Sequence, residues 1–137
     1  SVGIEQLKKL PSFLSNRRTN AKYFQELFSD HPFISIQKEI GMSSWFGFSL
    51  ILKDDSPINR KELVETLFKN KIECRPIVTG NFLKNKSVLK FFDYKISGTL
   101  ENAEHLDSNG LFVGNHHFDI SKQIKYLKNV LNNSQFK

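Results

Sequence analysis

Two stretches of the sequence gather the residue types that do chemistry. One is IECRPIVTGNF, an apolar run that carries Cys74 and Arg75 and ends at Thr79-Gly80-Asn81. The other is GLFVGNHH, which ends at Gly114-Asn115 and runs on into His116-His117. Glycine lets the backbone change sign beside a strand end, and asparagine offers a donor and an acceptor there. The planar fork of Arg75 suits a phosphate or a carboxylate. Its neighbours Ile72 and Ile77 predict partial burial, and an unpaired guanidinium is costly to bury. Either a ligand or a structural ion pair, with Glu73 or a helix acid, must therefore satisfy it.

His116 and His117 are suited to hydrogen-bonding a polar ligand, moving protons or capping the helix that follows. Adjacent residues of an extended chain point to opposite sides, and no HxxxH or CxxC spacing accompanies them, so no metal site is expected. Cys74 has no readable Cys-His-Asn arrangement and is expected to be a buried, inert thiol. The chain has no glycine-rich phosphate loop and no serine nucleophile motif. The residues predict a polar site at strand ends without a complete catalytic set.

Several elements must hold that site. Ile4, Leu7, Leu10, Leu14, Ala21, Phe24 and Phe28 recur at helical spacing, with Pro11 predicting a kink or break near Leu10. Ser1-Val2-Gly3 provides no cap for that stripe, which suggests an element cut from a longer polypeptide. FISIQK and WFGFSLILK read as strands, and Asn59 with Glu62 resembles a capping box. The helix so opened has Leu63, Val64, Leu67 and Phe68 as its apolar face and stops near Asn70. IECRPIV is the third strand. A polar excursion from Thr79 to Asn109 follows, with short helices expected near Ser87–Phe92 and Asn102–Asp107; so long a connection usually carries function. LFVGN is the fourth strand. Asp119 or Ser121 caps a last helix with Ile120, Ile124, Leu127 and Leu131 on one face. This order predicts a two-layer α+β domain, a small, mainly antiparallel sheet covered by helices.

A length of 137 residues fits one domain, and thirteen phenylalanines predict a phenylalanine-filled core. No apolar run approaches the roughly 20 residues that span a bilayer. The single cysteine excludes an internal disulfide and points to a reducing, cytoplasmic setting. The net charge of +6 is spread over scattered lysines, which fits a solvated surface or an affinity for an anionic ligand.

The segments GIEQLKKLPSFLSNRRTNAKYFQELF, SSWFGFSLIL, KELVETLFKNKIECRPI and NAEHLDSNGLFVGNHHFDISKQIKYLKNVL follow one another in an order that resembles the C-terminal small domain of the DegT/DnrJ/EryC1/StrS family. These are fold-type I, pyridoxal-phosphate-dependent enzymes of nucleotide-linked keto sugars. IECRPIVTGNF and GLFVGNHH look closest to the NDP-4-keto-6-deoxyhexose 3-dehydratase branch. The resemblance implies a linker helix over residues 1–29 and an α+β body over 30–137. It implies a nucleotide-sugar substrate bound by Arg75, Asn81, Asn115, His116 and His117, with Trp45 and Phe46 as aromatic contacts unless both belong to the core. It also implies pyridoxal or pyridoxamine 5′-phosphate held mainly by a large domain, which carries the cofactor-anchoring lysine or histidine, and a homodimer that shares the site. No catalytic residue falls in this stretch, so it should be inactive alone. Removal of the C3 hydroxyl is the implied reaction; transamination by the same domain is the alternative. A third reading is a basic RNA-binding module. It needs aromatics alternating outward on a central strand, whereas Trp45, Phe46 and Phe48 would lie on both faces.

Overall fold

The computed structural model describes residues 2–133. Helix α1 (Val2–Phe28) runs without interruption through Pro11. The expected break is absent. Proline costs the bond to the carbonyl four residues back, but Val2 to Ser12 are all exposed, so water can serve the freed group. The missing cap at Ser1 lies outside the described residues. Packing of α1 begins at Phe13, whose ring meets that of His117 with centroids 4.2 Å apart.

Strands β1 (Ile34–Ile36), β2 (Gly47–Leu52), β3 (Cys74–Pro76) and β4 (Gly110–Gly114) form one sheet in the order β1-β2-β4-β3. Every neighbouring pair is antiparallel. Helices α2 (Arg60–Lys69), α3 (Lys86–Leu89), α4 (Glu101–Asn109) and α5 (Ser121–Asn133) complete the fold. Asn59 and Glu62 form the reciprocal capping box that opens α2, with bonds of 3.0 and 2.8 Å.

Alternation divides the sheet into two faces. Phe48, Leu50, Leu52, Leu111 and Val113 point inward, where Phe24 and Phe28 of α1, Leu63 and Leu67 of α2, and Ile124, Leu127 and Leu131 of α5 cover them. The core is leucine-rich rather than phenylalanine-filled. Among the described residues only Phe24, Phe28 and Phe48 are buried phenylalanines, while Phe46, Phe68 and Phe91 are more than 70% exposed. Phe68 and Val64 are thus not part of the α2 core face. On the other side of the sheet α4 packs at the Gly110 end, where a Cβ would lie 2.4 Å from Leu106 O, and the Gly114 end is open.

Trp45 was expected within β2, but the strand starts at Gly47. The backbone reverses sign at Trp45, with φ of 50°, which sends its ring into the core and Phe46 out to solvent. At the far end, Lys128 Nζ donates to Leu27 O at 2.6 Å and ties α5 to the last turn of α1.

His31 is 4% exposed, its Nδ1 accepting the Phe33 N–H at 3.3 Å and its ring stacked on Phe28. Burial, followed by repulsion from Lys128 and Lys53, holds its pKa below the usual histidine value of 6.5. Protons are therefore taken up by the unfolded chain first, and stability should fall as pH drops below about 6.5. Thermal melts at pH 7.5 and pH 5 measure this, and His31→Gln should flatten the difference. Asp107 and Asp119, whose pKa values lie below the usual carboxylate range, titrate beneath that window.

Candidate functional site

The open face of the sheet presents Gly47 and Ser49 of β2, Phe112 and Gly114 of β4, and Arg75 of β3, as the registers Gly47↔Gly114, Ser49↔Phe112 and Arg75↔Phe112 require. Two adjoining depressions lie on it. One, of about 440 Å³, has Phe46, Glu73, Arg75, Phe112, Asn115 and His116 in its lining, together with Cys74 and Gly114. The second, of about 480 Å³, extends past Gln37 and Ser49 to Val78, Thr79 and Gly80. Phe46 and Phe112 separate the two, with ring centroids 6.3 Å apart. Gln37 continues the ladder beyond β1, donating to Gly47 O at 2.9 Å and accepting from Ser49 N.

Asn115 is 5% exposed, and its side chain is spent on the protein. Its Nδ2 donates to Arg17 O at 3.0 Å and Trp45 O at 2.9 Å. Its Oδ1 accepts from Asn20 Nδ2 at 3.1 Å and from His116 N at 2.8 Å. Asn20, itself 3% exposed, also donates to His116 O and Phe118 O and accepts from Ile120 N. This lattice fixes the turn from β4 into α5 and aims His116 along the open face. His117 turns the other way, onto Phe13, and lines neither depression. Asp119 accepts the Ser121 N–H at 2.8 Å just before α5, and that bond holds its carboxyl below the usual range.

The other Gly-Asn pair works differently. Gly80 has φ of +52°, and a Cβ there would lie 2.1 Å from Asp107 Oδ1. That carboxylate accepts the Asn81 N–H at 3.2 Å and pairs with Lys84 Nζ at 2.7 Å. The Lys84 bond, then the Asn81 bond, lowers its pKa. Asn81 is buried and caps the turn Phe82–Lys84 through Leu83 N. Both asparagines thus hold backbone, while Thr79 and Gly80 line the second depression.

Arg75 is not partly buried as expected. Its side chain is 71% exposed because β3 is a short edge strand and position 75 falls on the open face. It pairs with Glu73 at 3.1 Å, a surface contact too weak to withhold it from a ligand. Cys74 faces Val113 on the inner side, and burial raises its pKa, as suits an unreactive thiol. Among the described residues no three metal-ligating groups cluster. The structure brings Arg75, Phe46, Asn115 and His116 to one depression, keeps Asn81 behind the second, and places Trp45 in the core, 2% exposed. Sequence reading named Glu73 as a partner for Arg75 but overlooked Asn20 and Phe112. For Phe112 the signal was the two-residue strand period around Gly114.

The chain belongs to the DegT/DnrJ/EryC1/StrS aminotransferase family, whose model matches residues 1–129. A GDP-4-keto-6-deoxy-D-mannose 3-dehydratase of Yersinia pseudotuberculosis is 66% identical over 131 residues, which are 96% of this chain and 33% of that protein. The Escherichia coli enzyme with bound hydrated pyridoxal phosphate superposes with a TM-score of 0.93 at 61% identity, over 95% of this chain and 33% of that one. A substituted GDP-4-keto-6-deoxymannose 3-dehydratase holding GDP-perosamine gives a TM-score of 0.93 at 61% identity, over 95% of this chain and 34% of that one. The chain spans about a third of the length of these curated relatives. Its four-stranded antiparallel sheet with helices matches part of the fold of those pyridoxal-phosphate-dependent enzymes.

Removing Asn20 tests the lattice. Asn20→Ala takes the acceptor from the Ile120 N–H and the donor from the His116 and Phe118 carbonyls, and each unsatisfied buried group costs about 1–3 kcal/mol. Denaturant unfolding should report a loss of at least that size.

Proposed function

We propose that this chain is the small domain of a pyridoxal/pyridoxamine 5′-phosphate-dependent enzyme that removes the C3 hydroxyl of GDP-4-keto-6-deoxymannose, in deoxysugar and lipopolysaccharide biosynthesis. The observation that carries this reading is the match, along nearly the whole chain, to 3-dehydratases of that sugar nucleotide. The open sheet face then forms this domain's wall of the substrate cleft. Arg75 and His116 contact the ligand, Phe46 gives it an apolar wall, and Asn115, Asn81 and His117 hold the backbone that presents them.

The cofactor, when bound, supplies the electron sink that lets a C–O bond beside the ketone break. Among the described residues no lysine lines either depression. We assign the cofactor to a large N-terminal domain. The exposed stripe of Ile4, Leu7 and Leu10 on α1 is apolar surface on which such a domain could pack. The working unit in this reading is a cytoplasmic homodimer. Among the described residues no helix is long and apolar enough to cross a membrane.

The full-length enzyme, given pyridoxamine phosphate, glutamate and GDP-4-keto-6-deoxymannose, should release the C3 hydroxyl, and this chain alone should do nothing above a no-protein control. A 4-amino sugar that keeps its C3 hydroxyl would instead mark an aminotransferase. Turnover by the chain alone would overturn the domain assignment. In the full-length enzyme Arg75→Lys keeps the charge but loses the fork, so kcat/KM should fall by about 1.5–3 kcal/mol. Its melting temperature should hold. Unchanged kinetics with a lower Tm would make Arg75 a structural residue.

A further inference from the structure

We propose that Asp107 is a positioning residue for the substrate: from the last turn of α4 it sets the turn at residues 78–81, whose Val78, Thr79 and Gly80 line the second depression. The proposal rests on the reading of the open face as this domain's wall of the substrate cleft. It gives a role to a side chain that lines neither depression.

The need for such a residue comes from the backbone. Pairing of β3 with β4 ends at Pro76, opposite Leu111, so residues 77–81 lie beyond the ladder. Within them Gly80 has φ of +52°, and glycine gives up more conformational freedom than any other residue when it is fixed. A turn of this kind at a binding surface needs restraint from outside itself.

The far end of the long excursion supplies that restraint at two points. Ile77 packs against Gly110, where a Cβ would lie 2.8 Å from Ile77 Cγ1. Three residues before Gly110, the Asp107 carboxylate occupies the space in which Gly80 would carry a side chain, since a Cβ there would lie 2.1 Å from Oδ1. The same Oδ1 accepts the Asn81 N–H at 3.2 Å, and Oδ2 accepts from Lys84 Nζ at 2.7 Å. One carboxylate therefore meets Gly80, Asn81 and Lys84. Arg60 Nη1 donates to the Asp107 carbonyl at 3.3 Å and ties this turn of α4 to the start of α2. The turn is thus gripped by a side chain that lies 26 residues beyond Asn81.

Stability alone does not account for this arrangement. The Asp107 and Lys84 side chains are 31% and 54% exposed, and an ion pair so open to water adds little to folding. What the carboxylate does fix is the path of the chain along the rim of the second depression. It lies so close to Gly80 that its reach counts as much as its charge: one methylene more would drive it into the turn.

Steady-state kinetics of the full-length enzyme on GDP-4-keto-6-deoxymannose test this. Contacts made equally to ground state and transition state appear in KM and not in kcat. Asp107→Ala should raise KM by at least about tenfold, or about 1.4 kcal/mol, with kcat and Tm little changed. Charge alone would act the other way, because removing a carboxylate eases the approach of a diphosphate. Asp107→Glu keeps the charge and the pair with Lys84 but overfills the space at Gly80. It should raise KM in the same direction, and it decides the matter if the alanine variant does not fold. Asp107→Asn keeps an Oδ1 acceptor for the Asn81 N–H and should stay near the unsubstituted KM. An unchanged KM in the alanine and glutamate variants would overturn the positioning role. So would an asparagine variant as impaired as the alanine one, or a fall in kcat at unchanged KM. Failure of the unsubstituted enzyme to turn over this substrate would instead overturn the dehydratase reading, before any substitution is made.

Discussion

The side-chain hydrogen bond between Asn20 and Asn115, 3.1 Å long and closed to solvent, is the contact on which the rest of the domain depends. A buried primary amide has donors and acceptors that all need partners, and in a low-dielectric interior each unmet one is expensive. Two such amides placed together therefore dictate where their partners must be. They capture carbonyls from α1, from the segment before β2 and from the turn after β4, along with the amides of His116 and Ile120. Hydrophobic burial gathers α1, the sheet and α5 without fixing their offsets. The amide pair fixes them.

The other side of the sheet follows an opposite logic. Inward-facing positions are filled by leucine, valine and phenylalanine, whereas Gly47 and Gly114 face each other across β2 and β4 on the open side. At Gly47 a side chain is forbidden, because a Cβ would come within 2.8 Å of Val113 O. At Gly114 nothing forbids one. The two depressions arise because this face lacks side chains at its middle, with Phe112 left standing between them.

Much of this was legible in the sequence. The α+β order, the capping box at Asn59 and the apolar stripe of α5 rest on local periodicity and capping chemistry, which survive without tertiary context. What misled were residues whose setting is decided at long range. Pro11 sits in an exposed turn of α1, where water can serve the carbonyl it frees, and the helix continues through it. Arg75 has apolar neighbours along the chain but lies on the outer side of an edge strand. Gly80-Asn81 and Gly114-Asn115 look alike as letters. The first glycine answers to a positive φ and an incoming carboxylate, and the second to neither. Asn20 stood in plain view in NRRTNA, but its partner lies 95 residues away, a distance no local pattern can report.

Helix α1 makes contact with the rest of the domain only from Phe13 onward, and its bare end has a mechanical meaning. At a rise of about 1.5 Å per residue, the tip at Val2 stands roughly 27 Å from the anchor at Asn20. A helix transmits bending poorly and tilt well, so it acts as a lever whose fulcrum is the amide pair. A tilt of roughly 5° at that fulcrum sweeps the tip through about 2 Å by the same arithmetic. The anchor and the first depression share Asn115. Any rotation about that pair would therefore move the far end of α1 much further than the edge of the first depression.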